Sequence, residues 1–388
     1  MKRIIISLII LAAILLLGCE KPTQPEQNDQ KLVIMNTQIY YLDDWFSKEE
    51  LVSIIETRMQ ILASKGVNYI TLYKGGYILN DHVYEEISGR NLNNDGVAGW
   101  GNLTDEQLIS LATTAHGLGM KVQLSMDLFP IIYDASGWCI YNSHGVREGS
   151  KCNYVPNYID TFFNEYNQYA QDCAELAQTM HADLFNFGQE LEKISVPAYS
   201  QYWDNVIDGI NSKYSGPIVY YCNNGQYTTW ADEFDTMCSQ LKSRVDYLGC
   251  TMYIQGLSNL NNPSLSLIRQ GVTPSFQKWE QRSITYNKKV IIGETGCGSY
   301  NGALGDGYLG NMYNETYLTS AILNEEIQAN YFQVCIENLQ NRSSIIGLAW
   351  DKAYYQRWNP IVNEKGPSPF SNESIQKIMM DRIKNPVQ

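Results

Sequence analysis

The chain has 388 residues, of which 44% are hydrophobic and 18% are charged, so it is long enough to bury one large core. Its net charge is -13, which argues against nucleic acid as a partner because a phosphate backbone needs Lys and Arg opposite it. Aromatic residues make up 12% of the chain, a content typical of packed cores or of surfaces that stack flat ligands.

The N-terminus predicts an export signal. Lys2 and Arg3 precede an apolar run over residues 4–17, which ends in Leu16-Leu17-Gly18-Cys19. This ending resembles the lipobox of bacterial lipoproteins, in which the Cys becomes the lipidated first residue. A transmembrane anchor is the alternative, but the run is short for a membrane span. Residues 19–30 are polar and contain Pro, as in a flexible tether.

We therefore expect a signal peptide at residues 1–18, a tether at residues 19–30 and one folded domain at residues 31–388. The expected location is that of a bacterial lipoprotein at the outer membrane, the cell surface or in the periplasm. The lipid on Cys19 would be its only contact with the membrane.

Apolar runs that predict strands alternate with amphipathic runs that predict helices. The strand predictions cover residues 32–36, 69–73, 122–126, 184–187, 218–222, 247–252, 290–292 and 345–349. The helix predictions cover residues 47–63, 104–118, 156–180, 197–214, 232–244, 264–286, 315–338 and 374–383. Ser47 and Thr104 each begin a helix with the spacing of a capping box.

Eight strands, each followed by a helix, predict an α/β fold of the (β/α)₈ TIM barrel type in a single domain. A doubly wound open sheet has the same local pattern. It is disfavoured because Asn36-Thr37-Gln38 follows the first strand, where such folds carry a Gly-rich phosphate loop.

Two glutamates follow strands that lie opposite each other in such a barrel. Glu190 follows the fourth strand and Glu294 follows the seventh, 294 − 190 = 104 residues later; three βα units span roughly 94 residues. Alternation along the fourth strand predicts that Asn186, Gly188 and Glu190 share the face toward the barrel axis. Two opposed carboxylates are typical of glycoside hydrolysis.

The stretch Phe187-Gly188-Gln189-Glu190-Leu191 resembles the Gly-x-Glu-Leu motif of glycoside hydrolase family 113, a β-mannanase family of clan A. The stretch Ile292-Gly293-Glu294-Thr295-Gly296 is similar to the nucleophile strand of that clan. The resemblance implies a retaining mechanism with Glu190 as general acid/base and Glu294 as nucleophile. Most clan A families carry Asn before the acid/base, whereas this chain has Gln189, whose side chain is one methylene longer.

The resemblance also implies roles for two aromatic residues. Tyr253 matches a position from which clan A enzymes hydrogen-bond the nucleophile. Trp350 matches the eighth-strand aromatic that forms a platform under the sugar. Packing in the barrel core is the alternative for both residues.

Four polar residues at strand ends are further candidates for binding sugar hydroxyls, as are the amide of Gln189 and the indole of Trp203. These substrate-binding candidates are Gln189, Asn36, Lys74, Asp127, Asn223 and Trp203. Trp230 and Trp358 are weaker candidates for further sugar subsites, and packing of a loop is the alternative for each Trp. Glu192 is the rival of Glu190 for the acid role, and it lies further past the strand.

The cysteines and one Asn-rich loop leave alternatives open. Eight cysteines besides Cys19 permit disulfides in an exported protein, with Cys139 and Cys152 as the favoured pair and the connectivity undecided.

Residues 91–96 have the oxygen spacing of an EF-hand loop, but Asn102 stands where a bidentate Glu is required. A solvated loop is favoured there, and we expect neither a metal nor a cofactor.

The leading hypothesis is a retaining endo-β-glycosidase, a β-1,4-mannanase, acting as a monomer on a polysaccharide or oligosaccharide. The alternatives are another clan A β-glycanase acting on a glucan or galactan, and a non-catalytic glycan-binding surface lipoprotein. The paired glutamates favour an enzyme, because a binding protein needs no proton donor opposite an anion. The sequence leaves open which glycan is cleaved and whether cleavage is endo or exo.

Overall fold

A computed structural model describes residues 31–36, 48–85, 103–130, 151–225, 232–253, 257, 261–304, 315–350, 377 and 381. The strands are β1 (Leu32–Asn36), β2 (Tyr69–Leu79), β3 (His82–Tyr84), β4 (Lys121–Pro130), β5 (Leu184–Gln189), β6 (Ile218–Asn223), β7 (Tyr247–Thr251), β8 (Val290–Thr295) and β9 (Ile345–Trp350). The helices are α1 (Lys48–Ser64), α2 (Asp105–Gly117), α3 (Ile159–Thr179), α4 (Ser200–Lys213), α5 (Glu233–Thr236), α6 (Ser239–Arg244), α7 (Leu265–Tyr286), α8 (Glu315–Ser320) and α9 (Glu325–Gln340). Short 3₁₀ helices lie at Lys151–Asn153 and Pro197–Tyr199, and residues 377 and 381 are helical.

The strands form a closed barrel. The sheet order is β1-β9-β8-β7-β6-β5-β4-β2-β3, and β1 also pairs with β2, which closes the ring. All pairs within the ring are parallel. The predicted (β/α)₈ TIM barrel is therefore confirmed, and Leu32–Gln388 forms one unit.

The second barrel strand is longer than predicted and continues into a hairpin. Asn80 and Asp81 have φ angles of 52° and 65°, and β3 returns antiparallel to β2. Two successive residues with positive φ angles are typical of the two-residue turns whose twist matches that of the hairpin strands. The hairpin is not predicted by the sequence pattern.

Two apolar layers hold the barrel together. The interior layer consists of residues on alternate strand positions, namely Tyr69, Leu184, Val219, Tyr221, Ile291 and Ala349. The intervening positions pack against the helices in a larger outer layer. Strands buried on both faces read as continuous apolar runs, which is why the sequence located all the barrel strands.

The start of α2 follows the predicted capping box. Thr104 Oγ1 accepts a hydrogen bond from the Gln107 backbone N–H, and Gln107 Oε1 accepts one from the Thr104 N–H. After the helix, Gly119 takes φ = 74° and turns the chain into β4. Helix α1 begins at Lys48, and Ser47 lies outside the described residues.

Cys152 is a free, buried thiol, as are the other cysteines among the described residues. The favoured Cys139–Cys152 disulfide is therefore not present; the Cys152 thiol instead accepts a hydrogen bond from the Asn223 side-chain amide. Cys139 lies outside the described residues.

The N-terminal predictions also lie outside the described residues, as do the loop at 91–96, Trp230 and Trp358. The signal peptide, the lipidation of Cys19 and the tether at residues 19–30 thus stay predictions. Within the described ranges, no helix is both long and apolar enough to cross a membrane.

Candidate active site

A bulge at the end of β5 brings Gln189 and Glu190 to the site. Asn186 pairs with Val219, but Gln189 pairs with Tyr221, so β5 holds one extra residue. A Cβ atom at Gly188 would lie 2.4 Å from Tyr166 Oη, and Tyr166 belongs to the outer layer. The predicted inward face of Gly188 is therefore wrong, because the bulge interrupts strict alternation.

A second bulge precedes Glu294. Cys250 pairs with Ile292, whereas Thr251 pairs with Glu294, so β8 also holds one extra residue. A Cβ atom at Gly293 would lie 2.3 Å from the Tyr221 ring, which fills the barrel interior. Bulges commonly re-aim side chains next to active sites, and here one lies immediately before each glutamate.

Glu294 is buried, and neutral donors hold both of its oxygens. The Gln189 side-chain amide donates to Oε1 at 2.8 Å, and the Tyr253 hydroxyl donates to Oε2 at 3.1 Å. The expected contact between Tyr253 and Glu294 is thus present. These two bonds fix the direction in which the carboxylate points and stabilise its charge.

Glu190 lies beside Glu294 in a more open environment. Thr251, the ladder partner of Glu294, donates from its hydroxyl to Glu190 Oε1. Glu190 Oε2 lies 3.9 Å from Lys151 Nζ, and the Glu190 side chain is 20% exposed. Two neighbouring carboxylates in different environments are suited to different roles, one as a fixed anion and one as a group that exchanges protons.

Lys151 lies in the site, although no sequence pattern predicts it there. Its Nζ lies 2.9 Å and 3.0 Å from the two carboxylate oxygens of Asp127 and 4.8 Å from the centre of the Phe129 ring. Burial alone would lower the pKa of Lys151, but the charges of Asp127, Glu190 and Glu294 raise it above its ordinary value. Lys151 therefore places a cation close to three carboxyl groups.

Glu233 is a second residue that the sequence pattern did not predict, and it is fully buried at the end of β6. Its Oε1 accepts from the Tyr220 hydroxyl at 2.7 Å, and its Oε2 accepts from the Asn223 backbone N–H at 2.6 Å. Burial raises the pKa of Glu233 to about 8, although these hydrogen bonds act in the opposite direction. No motif in the sequence distinguishes Glu233 or Lys151 from an ordinary surface charge.

The remaining strand-end candidates differ in position. Asp127 lies in the site through its ion pair with Lys151. Asn223 ends β6 and donates from its side-chain amide to the Cys152 thiol, next to Lys151 in the chain. Asn36 ends β1, where it pairs with Thr71 of β2.

Lys74 and Trp203 are not brought to the glutamate pair. The Lys74 ammonium binds the carboxylates of Glu85 and Asp105, the latter at 2.7 Å. Trp203 is fully buried on α4 and donates from its indole N–H to the Ile194 carbonyl oxygen at 2.7 Å. Lys74 is therefore engaged by carboxylates away from the glutamates, and Trp203 packs in the outer layer.

Trp350 ends β9 and Glu192 follows β5, and both residues are buried. Trp350 pairs with Thr295 and is fully buried, with its ring 5.0 Å from that of Phe332. Its predicted role as a sugar platform stays a prediction. Glu192 lies 3.7 Å from Lys193 Nζ, and burial raises the pKa of its carboxyl group.

The chemistry available at the site is that of carboxylates, one cation and neutral donors. Across the described ranges, no group of three or more His, Cys, Asp or Glu residues is arranged to hold a metal ion. A fixed carboxylate beside an accessible one can support attack at a sugar carbon with proton transfer to the leaving oxygen.

Comparison with solved structures finds glycoside hydrolases. A family 113 β-1,4-mannanase has a TM-score of 0.59 and 17% sequence identity, covering 90% of this chain and 98% of that chain. A family 113 β-mannanase from Alicyclobacillus acidocaldarius in complex with ManMIm has a TM-score of 0.61 and 14% identity, covering 92% and 98%. A family 5 mannosidase from Rhizomucor miehei has a TM-score of 0.53 and 12% identity, covering 92% of each chain.

At these identities the structural likeness shows the fold alone. A sequence search of the curated proteins found no match. The model of Glycoside Hydrolase Family 113, however, matches residues 53–365 and so covers most of the chain, including both glutamates. The protein therefore is a glycoside hydrolase and belongs to glycoside hydrolase family 113.

Proposed function

We propose that the protein is a retaining endo-β-1,4-mannanase in which Glu190 is the general acid/base and Glu294 the nucleophile. The observation that carries this proposal is the pair of hydrogen bonds that aim the buried Glu294 carboxylate beside the more accessible Glu190. A nucleophile needs a fixed anion, and an acid/base needs access to the leaving group and to water.

The reaction has two displacements. Glu294 attacks the anomeric carbon while Glu190 gives its proton to the departing glycosidic oxygen, which leaves a covalent glycosyl-enzyme. Glu190 then takes a proton from water, and the resulting attack releases Glu294 and a sugar of unchanged anomeric configuration. Gln189 Oε1 is buried without a hydrogen-bond partner, and we assign it to a hydroxyl of the bound sugar.

Mannan is the proposed substrate because the two family 113 structures described above are β-mannanases. The direct test measures reducing-sugar release from mannan, glucomannan, galactan, xylan and mixed-linkage glucan, and follows the product anomer by NMR. Mannan hydrolysis with retention is expected. Preferential cleavage of glucan or galactan would replace the substrate, inversion would exclude Glu294 as nucleophile, and binding without cleavage of any glycan would favour the glycan-binding alternative.

The roles of the glutamates are tested with substrates of different leaving groups. Glu190→Ala should lose about 10²–10⁴-fold on natural glycans but retain its first step on an activated aryl glycoside, with turnover restored by azide. Glu294→Ala should fail on both substrates, because it lacks the attacking group. Glu192→Ala is the matched control and should leave both activities intact; if it shows the azide-restored pattern instead, the acid role belongs to Glu192.

We further propose that the enzyme is a monomeric lipoprotein anchored through Cys19. The basis is the lipobox-like stretch ending at Cys19 and the polar tether behind it. A fatty-acid analogue fed to expressing cells should label the wild-type protein and leave Cys19→Ser unlabelled and unbound to membranes. Equal labelling of both proteins, or a wholly soluble wild type, would contradict this anchor.

A further inference from the structure

The backbone of Glu190 is held in an unusual conformation. Its φ angle is 55°, in the left-handed region that residues with a side chain seldom occupy. Such a conformation persists only when the surroundings over-determine it. The Glu190 N–H donates to the Tyr221 carbonyl oxygen at 2.9 Å, and the next N–H, that of Leu191, donates to the Tyr220 hydroxyl oxygen at 2.8 Å.

The Tyr220 hydroxyl is itself oriented by Glu233. A hydroxyl has one proton to donate, and Tyr220 donates it to Glu233 Oε1 at 2.7 Å, which leaves the oxygen lone pairs for Leu191. The second oxygen of Glu233 binds the Asn223 N–H at the end of the neighbouring strand. Tyr220, Leu191 and Glu233 are all buried, so water does not replace these bonds.

We propose that Tyr220 and Glu233 are positioning residues that set the place of the Glu190 carboxyl group relative to the glycosidic oxygen. This inference rests on the proposed function, in which Glu190 protonates that oxygen. Without the Tyr220 hydroxyl, the buried Leu191 N–H loses its acceptor, and the turn that carries Glu190 relaxes. The nucleophile Glu294 also accepts from Tyr253, which follows β7 and does not belong to this turn, so the larger defect falls on proton donation.

Tyr220→Phe isolates the hydroxyl, because the ring remains packed between Phe187 and Trp203, at 5.9 Å and 5.7 Å. Glu233→Gln replaces one acceptor oxygen by an NH2 group, which only donates, so the hydrogen bond from either Tyr220 or Asn223 is lost. Tyr214→Phe is the matched control: its hydroxyl is also buried and donates to a backbone carbonyl oxygen, that of Ala182 before β5.

The measurement compares kcat/KM for mannotetraose, which has a poor leaving group, with kcat/KM for dinitrophenyl β-mannobioside, which has a good one. Tyr220→Phe and Glu233→Gln should lose about tenfold or more on mannotetraose, since small misplacements of a reacting group cost up to about 10²-fold. On the aryl substrate they should stay within about threefold, because protonation contributes little there. Tyr214→Phe should match the wild type on both.

Equal losses on the two substrates, or no loss on either, would overturn the positioning role. Folding is monitored by circular dichroism, and if Glu233→Gln does not fold, Tyr220→Phe decides the question. Glu190→Ala serves as the reference for the proposed function. If that variant lacks the leaving-group effect in an active enzyme, the proposed function fails; if it shows the effect and Tyr220→Phe does not, only this inference fails.

Discussion

At the scale of single residues, the charge of the site depends on Lys151. Three carboxylates raise the pKa of this buried ammonium, and Asp127 holds it by both oxygens. Asp127 was predicted, because a polar side chain at the end of an apolar strand is visible in the sequence. Lys151 was not, because it follows a polar loop that carries no periodicity, and its burial exists only after β4 and β5 have assembled.

Lys151→Met should destabilise the protein strongly. Asp127 is 1% exposed, and removing one partner of a buried ion pair costs about 3–5 kcal/mol because the remaining carboxylate loses the cation that offsets its charge. Adding Asp127→Asn to Lys151→Met should recover most of that loss. Urea unfolding of both variants measures the effect, and a double variant less stable than the single one would contradict a stabilising ion pair.

At the scale of elements, the sequence predicts strand positions better than strand pairing. Apolar runs located all the barrel strands, and the ends of the fourth and seventh carried the two glutamates. The bulges before Glu190 and Glu294 could not be predicted, because an extra residue is defined only against the register of the neighbouring strand. Alternation therefore assigned Gly188 to the wrong face.

Gly293→Ala should disturb the bulge in β8. The added Cβ would meet the Tyr221 ring at 2.3 Å, and that ring is tied to Gln123 by a 2.7 Å hydrogen bond. We expect a loss of about 1–3 kcal/mol in the free energy of unfolding, and lower kcat because Glu294 is the next residue. Gly117→Ala is the control, since nothing lies within 4 Å of its added Cβ; equal stability and activity of the two variants would contradict the crowding.

At the scale of the whole molecule, the closed parallel barrel explains why distant residues meet. The carboxyl ends of parallel strands lie on one rim, so Asp127, Glu190, Asn223 and Glu294 converge from four strands. This part of the site was predictable from strand ends alone. The positions of Glu233 and Trp203 could not be predicted. Glu233 lies on α5 and contacts the end of β6, and Trp203 lies on α4 and contacts Ile194, so both positions depend on packing between elements.

Glu233 should make the stability of the whole fold depend on pH. Burial raises the pKa of Glu233 from 4.5 to about 8, against the opposing effect of its hydrogen bonds. Because the folded-state pKa is the higher one, this group stabilises the fold fully below pH 4.5 and loses that contribution as the pH rises to about 8. At about 1.4 kcal/mol per pKa unit, the loss is at most about 5 kcal/mol.

The quantity to measure is the free energy of unfolding of the wild type minus that of Glu233→Gln, from urea titrations between pH 4.5 and pH 8.5. This difference should fall steadily with rising pH and level off above pH 8, because other titrating groups are common to both proteins. Glu175→Gln is the control, since the Glu175 side chain is 63% exposed and pairs with Lys213 at the surface, and its difference should vary little. A Glu233→Gln difference as flat as that of Glu175→Gln would mean that Glu233 is ionised in the folded protein throughout this range, held as a carboxylate by Tyr220 and Asn223.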